Sequence, residues 1–314
     1  MARPITPALV QAMFEGFNTK FNQAYAGVAP EWKRVAMEVP STGEAENYAW
    51  MAQIPRIREW IGDRVLNAIK AYGYQIANRE FESTIAVPRA KIEDDAFGIF
   101  APLFSEMGRS VALFPDELVF PMLTAGFTSP CYDGQNFFDT DHPVLDVNGN
   151  AQPVSNVQAG AGPAWFLLDT TRFIKPLVYQ TRRPFDFVAK TDAQRSDHVF
   201  MAKEFLYGVD GRCNAGYGLW QFAFGSNAPL NRANFRAARQ AMINLKGDFG
   251  RPLGIKPNVL VTGTSLEQTG RDLIKAKFLP VDGAPGEPAL VGAVGVIDNT
   301  DQDIVDLFMS PWLP

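Results

Sequence analysis

Histidine and cysteine are almost missing from this 314-residue chain, which has two of each: His142 and His198, Cys131 and Cys213. Two thiols cannot build a disulfide framework or hold an iron–sulfur cluster, and a four-ligand zinc site would have to recruit carboxylates. The usual signatures of phosphate binding and nucleophilic catalysis are absent too. There is no G-x-x-x-x-G-K-[ST] to wrap phosphates in backbone N–H groups, no G-x-G-x-x-G, no G-x-S-x-G elbow and no H-E-x-x-H. Positive charge is not in excess: 29 Lys and Arg stand against 34 Asp and Glu, a net of −5. That balance gives no support for sequence-independent nucleic-acid binding through a basic surface. The start, MARPITPALVQAM, lacks the charged flank and apolar block of a signal peptide. Uncharged stretches such as Cys213–Asn231 are interrupted by Asn, Gln, Gly and Pro and fail as membrane spans. The expectation is a soluble protein, made and kept in a reducing cytosol.

What the chain does have is 24 Phe, 26 Gly and 23 Pro. Gly and Pro together exceed their average usage of about 12%. With 46% apolar and 20% charged residues the chain is globular, and its length suits one large domain or two ordinary ones.

Helical periodicity is clear in two places. After Thr6-Pro7, a capping residue and a tolerated first-turn proline, Val10, Phe14, Phe17 and Phe21 form one apolar stripe ending near Gly27. Such a stripe must dock, either on its own domain or on a neighbouring subunit. Between Asp94 and Leu118, Phe97, Phe100, Phe104, Met107, Val111, Phe114 and Leu118 alternate steps of three and four, the pattern of a long structural helix that Pro102 and Pro115 should kink or break. Residues 33–53 read as two short strands around the polar tip Ser41–Glu44, and Tyr74, Ile76, Phe81, Ile85 and Val87 as further strand. Ile54–Arg64 packs Arg56, Arg58, Glu59, Asp63 and Arg64 around Trp60 and Ile61, the composition of a solvated charged face or of an interface anchor. Strand is expected at Phe200–Tyr217 and helix at Asn231–Lys246, closed by Gly247. A buried strand at Asn258–Val261 follows, then a capping box, Thr264 to Glu267, opening a helix to about Lys277. That succession implies an α/β layer in the C-terminal half.

One constellation has chemical potential. Asp139, Asp141 and His142, with Cys131 and Asp133 upstream, could hold a divalent ion for hydrolysis, although D-x-D-H-P is equally an ordinary turn before proline. His198 has no partner motif and reads as structural.

Three ordered blocks resemble the major head subunit family of Mu-like phages and prophages, the T-protein capsid family. They are Trp32–Met51 leading into Arg58-Glu59-Trp60-Ile61-Gly62-Asp63-Arg64; Asn78–Glu82 through Ile92–Asp95, with Gly98 and the long helix carrying Gly108; and Tyr132–Phe138 with Asp141–Val144. The match is specific over residues 30–145, weaker to about 280, and not traced residue by residue after Asp282.

The resemblance implies an α+β chain with the tailed-phage major capsid fold. Its expected parts are an N-terminal arm at 1–30, an extended loop at 31–70, and a peripheral domain with a spine helix at 71–130. A loop-rich segment with peripheral strands follows at 131–190, then an axial domain with return strands at 191–314. The implied function is a structural shell protein, not an enzyme, forming pentamers and hexamers of an icosahedral head around double-stranded DNA. The metal-dependent hydrolase is the alternative. Intersubunit contacts are expected from Phe14, Phe17 and Phe21 on the arm and from Arg56, Arg58, Glu59, Trp60, Asp63 and Arg64 on the loop. The expected partners are other copies of the chain, a separate scaffold and a maturation protease, the portal protein, auxiliary or decoration capsid proteins, and packaged DNA held by weak nonspecific contact. No cofactor and no membrane is expected, and assembly is placed in the bacterial host cytoplasm. No lysine lies between Lys33 and Lys70, so covalent cross-linking through a loop lysine is disfavoured. The chain also begins almost directly with the arm, which is why scaffolding is expected from a separate protein.

Overall fold

Thr6 starts the first helix as its sequence dictates: the side chain accepts from the Leu9 N–H at 3.2 Å, and Pro7 takes the first helical position, where its missing N–H costs nothing. In the computed structural model, which describes residues 5–48, 73–94, 97–192, 194–280 and 296–314, this helix α1 spans Pro7–Ala26 and buries Met13, Phe17 and Phe21. It lies along the long helix α2 (Phe97–Val119). Pro102 and Pro115 sit inside α2, which nonetheless runs as one 23-residue element. A helix-interior proline costs about 3 kcal/mol, and the burial of Phe104, Met107 and Val111 on the packed face offsets it. The two helices meet at Gly108, where an added Cβ would lie 2.3 Å from the Phe21 carbonyl oxygen. Only glycine permits that approach.

The two larger sheets draw on strands β1 (Ala36–Pro40), β2 (Arg79–Pro88), β3 (Val157–Gln158), β4 (Trp165–Leu168), β5 (Leu177–Lys190), β6 (Glu204–Tyr217), β7 (Ala223–Ser226), β8 (Val259–Thr262) and β9 (Asp306–Met309). The first sheet has the order β1-β5-β6-β2, with β1 parallel to β5 and the other pairs antiparallel. Helices α1 and α2 cover it through Phe17, Phe104, Phe187 and Tyr207, whose rings contact one another. The second sheet has the order β9-β8-β4-β7-β3 and is mixed. Its central strands β4 (WFLL) and β8 (VLVT) are buried at every position, as mostly apolar runs covered on both faces should be. Helices α3 (Arg232–Ile243) and α4 (Glu267–Ile274) supply Phe235, Ala238, Met242, Leu273 and Ile274 to the same core.

Several sequence expectations need correction. The strands of 33–53 form at Ala36–Pro40 and Ala45–Asn47 but do not pair with each other. Ala36–Pro40 adds to β5, and Ala45–Asn47 pairs with Gln75–Ala77. The Glu46 carboxylate causes the separation: it gathers the Thr42 and Gly43 N–H groups and the Ser41 hydroxyl into a turn that redirects the chain. Phe200 lies in a short helix, Asp197–Ala202, before β6 begins. Helix α3 stops at Asn244 rather than at Gly247. The Thr264 box does not form: a 3-10 turn occupies Thr264–Leu266, and Glu267 pairs with Arg271 one turn on. β3 and β4 share the second sheet with β7, β8 and β9, while β6 pairs with β2 and β5.

Candidate functional site

The Phe stripe of α1 faces inward. Phe17 stacks on Phe104 with ring centroids 4.0 Å apart, and Phe21 packs beside Met107 and Val111. Half-buried Phe14 meets Phe187 at 5.6 Å. Phe14, Phe17 and Phe21 thus dock on the chain's own first sheet and spine helix, where α2 offers a complementary Phe face. Arg56, Arg58, Glu59, Trp60, Asp63 and Arg64 lie outside the described residues, as does most of the proposed extended loop.

The polar loop after Cys131 folds around His142, which is completely buried. Its Nδ1 is 2.7 Å from Asp133 Oδ2 and its Nε2 is 3.2 Å from Asn156 Oδ1. Its ring lies flat on Trp220, with centroids 3.9 Å apart and planes 8° apart. Asn156 is fixed in turn. Its amide N–H groups face the Phe137, Trp220 and Ala223 carbonyls, and its oxygen accepts from the Asp139 N–H. Cys131 donates its thiol to Asp133 Oδ1 at 3.1 Å, and that oxygen also accepts from the Gln135 N–H. Burial pushes the Cys131 thiol far above its ordinary range, which leaves it a poor nucleophile.

The carboxylates assigned to the hydrolase alternative are used otherwise. Asp139 accepts from the Asn136 and Thr140 N–H groups and shares a hydrogen bond with Asp141 at the solvent-facing side of the loop. Both His142 nitrogens are committed to Asp133 and Asn156. The arrangement therefore braces a loop and does not place a metal between Asp139, Asp141 and His142. His198, half exposed, reaches Glu204 at 3.4 Å.

A scan of family models matches the Mu-like prophage major head subunit gpT over residues 10–313. The major capsid protein of Escherichia phage Mu is 41% identical over 280 residues, covering 87% of this chain and 92% of that protein. The chain belongs to the Mu-like gpT major head subunit family. The FluMu major head subunit of Haemophilus influenzae is 42% identical, with 89% of this chain and 92% of that protein covered. Among solved structures, the chain is similar to the procapsid protein of bacteriophage JBD30, with 44% identity, a TM-score of 0.82 and coverage of 98% of this chain and all of that one. It is also similar to the JBD30 capsid at 34% identity and TM-score 0.75, over 99% of this chain and all of that one. The gpT fold and function follow for this chain: an α+β tailed-phage major capsid protein that forms the icosahedral shell. No helix among the described residues is long and apolar enough to cross a membrane.

Sequence reasoning missed some of the ties that hold this subunit in shape. Trp220 lies far along the chain from His142 and Asn156 follows it by 14 residues, and nothing in their local patterns points to it. Buried Asp301 receives Arg232 at 2.8 Å and Arg236 at 2.9 Å, fastening α3 to the turn at 299–303. Only long-range pairing reveals such contacts.

Proposed function

We propose that the chain assembles as pentamers and hexamers, with a separate scaffold, into a head that encloses double-stranded DNA, and that it works by packing rather than catalysis. The observation carrying this reading is near-complete similarity to a procapsid protein: 98% of the chain at TM-score 0.82. Assembly takes place in the host cytoplasm, with a maturation protease and a portal protein as further partners. A JBD30 capsid is decorated with minor capsid protein trimers, and auxiliary subunits of that kind fit this chain too. Contact with packaged DNA is weak and nonspecific, as the net charge of −5 favours.

The intersubunit contacts run through Arg56, Arg58, Glu59, Trp60, Asp63 and Arg64 and through exposed apolar side chains. Ile99 of α2 is 72% exposed, and Phe200 and Met201 in the short helix before β6 are 68% and 79% exposed. Negative-stain images of the protein produced with its scaffold test the reading. Shells, or rings of five and six, are expected; a small monodisperse oligomer at high concentration would overturn it.

A further inference from the structure

The buried loop site has a composition that bracing alone does not require. Among the described residues, Cys131, Asp133 and His142 form the group of His, Cys, Asp and Glu side chains close enough to share an ion, with one candidate ligand atom from each lying within 4.8 Å of the others. The side chains of Asp133 and His142 are 6% and 0% exposed, and Cys131 is 4% exposed, so water competes poorly for the site. The tautomer of His142 is constrained from outside. Asn156 turns its oxygen to Nε2 because its amide nitrogen faces carbonyls, so Nε2 carries a hydrogen and donates it. That is the outer-shell arrangement which fixes a metal-ligating histidine. It leaves Nδ1 facing a carboxylate oxygen at 2.7 Å. Two lone pairs cannot meet at that distance without a positive centre between them, either a proton or a metal ion.

We propose that Cys131, Asp133 and His142 bind a single thiophilic divalent ion of the zinc type. Thiol, imidazole and carboxylate together select zinc over magnesium or calcium. On binding, the Cys131 thiol proton and the proton held between Nδ1 and Oδ2 both leave to solvent, and the thiolate, Nδ1 and one Asp133 oxygen become ligands. Ligand bonds of about 2.0–2.3 Å set tetrahedral edges of about 3.3–3.7 Å. The present 2.7 Å Nδ1–Oδ2 and 3.1 Å Sγ–Oδ1 separations would open by several tenths of an ångström. The ion would tie the turn at Cys131 to the strand starting at His142 and, through Trp220, to the second sheet. This is a structural role with no hydrolytic step, and it uses neither Asp139 nor Asp141.

Full-length protein purified without chelator should contain one zinc ion per chain by elemental analysis and retain it through gel filtration. Exchange with cobalt should give a thiolate-to-cobalt charge-transfer band in the near ultraviolet. Cys131→Ser should abolish that band, whereas Cys213→Ser, which alters the other buried thiol, should keep it. The proposal is overturned if the protein holds no zinc above background after equilibration with zinc ion. It is equally overturned if the cobalt complex shows no thiolate band or keeps that band in Cys131→Ser. Either result assigns the Nδ1–Oδ2 contact to a proton. Because the unmodified protein supplies the decisive measurements, a variant that fails to fold does not blunt the test.

Discussion

Tyr207 stands at the centre of the aromatic cluster beneath α1 and α2, edge-on to Phe17 and Phe104, yet its buried hydroxyl has no hydrogen-bond partner among the described residues. Burial pushes its phenol up to about 12. Tyr207→Phe keeps the ring contacts and removes an unpaired polar group, so it should leave stability unchanged or raise it by about 1 kcal/mol. The denaturant midpoint of the isolated subunit measures this, and a clear loss would mean that the hydroxyl is paired. Glu46 gives the opposite case. The Thr42 N–H, the Ser41 hydroxyl and the Gly43 N–H hold its carboxyl below the ordinary 4.5. A carboxylate with a lowered folded value adds stability that is complete above the unfolded value and is lost as pH falls through the folded one. Glu46→Gln should therefore flatten the decline in stability below about pH 4.5, which thermal melts across that range will show. Neither role was legible beforehand. A hydroxyl without a partner and a carboxylate serving a turn are facts of surroundings, and composition carries no trace of them.

At the scale of elements, the decisive contact is the crossing of α1 and α2. Gly108→Ala would place a carbon 2.3 Å from the Phe21 carbonyl oxygen, backbone that cannot move aside as a side chain would. The helices would have to separate, at a cost of about 1–3 kcal/mol or more. Gly16→Ala on α1 makes a control, since nothing lies within 4 Å of an added Cβ there. It should stabilise the helix by about 0.5–1 kcal/mol. Calorimetry of the two variants should move in opposite directions. Both helices were readable because Phe at steps of three and four is a local pattern: the expected stripe Phe14, Phe17, Phe21 and the spine residues Phe104, Met107 and Val111 lie where periodicity put them. Which surface the stripe would meet was not readable, since that depends on a helix almost ninety residues away. Strand pairing failed for the same reason. Ala36–Pro40 has a plausible partner across a nearby turn, but its hydrogen bonds go to residues 177–181.

For the whole molecule, the three blocks that carried the family resemblance reached further than any single contact could. They did so because order and spacing along a chain survive where individual side chains change. The candidate loop site shows the limit: Asp139, Asp141 and His142 are adjacent in sequence, yet His142 turns instead to Asp133 and Asn156. At this scale the absence of lysine from residues 34–69 has a measurable outcome. Purified heads boiled in denaturant should run as single subunits on a gel, with no ladder of covalent multimers linked through the loop. A ladder would show another residue serving as the cross-link.

The second sheet also sets a timetable. β8, buried at every position, has one edge against β4 and the other against β9, which comes from residues 306–309. Until residues 306–309 dock, that edge of β8 stays open, and an open strand edge invites pairing with another chain. A chain cut short before residue 306 would keep that edge unpaired and stick to its neighbours instead of assembling with them.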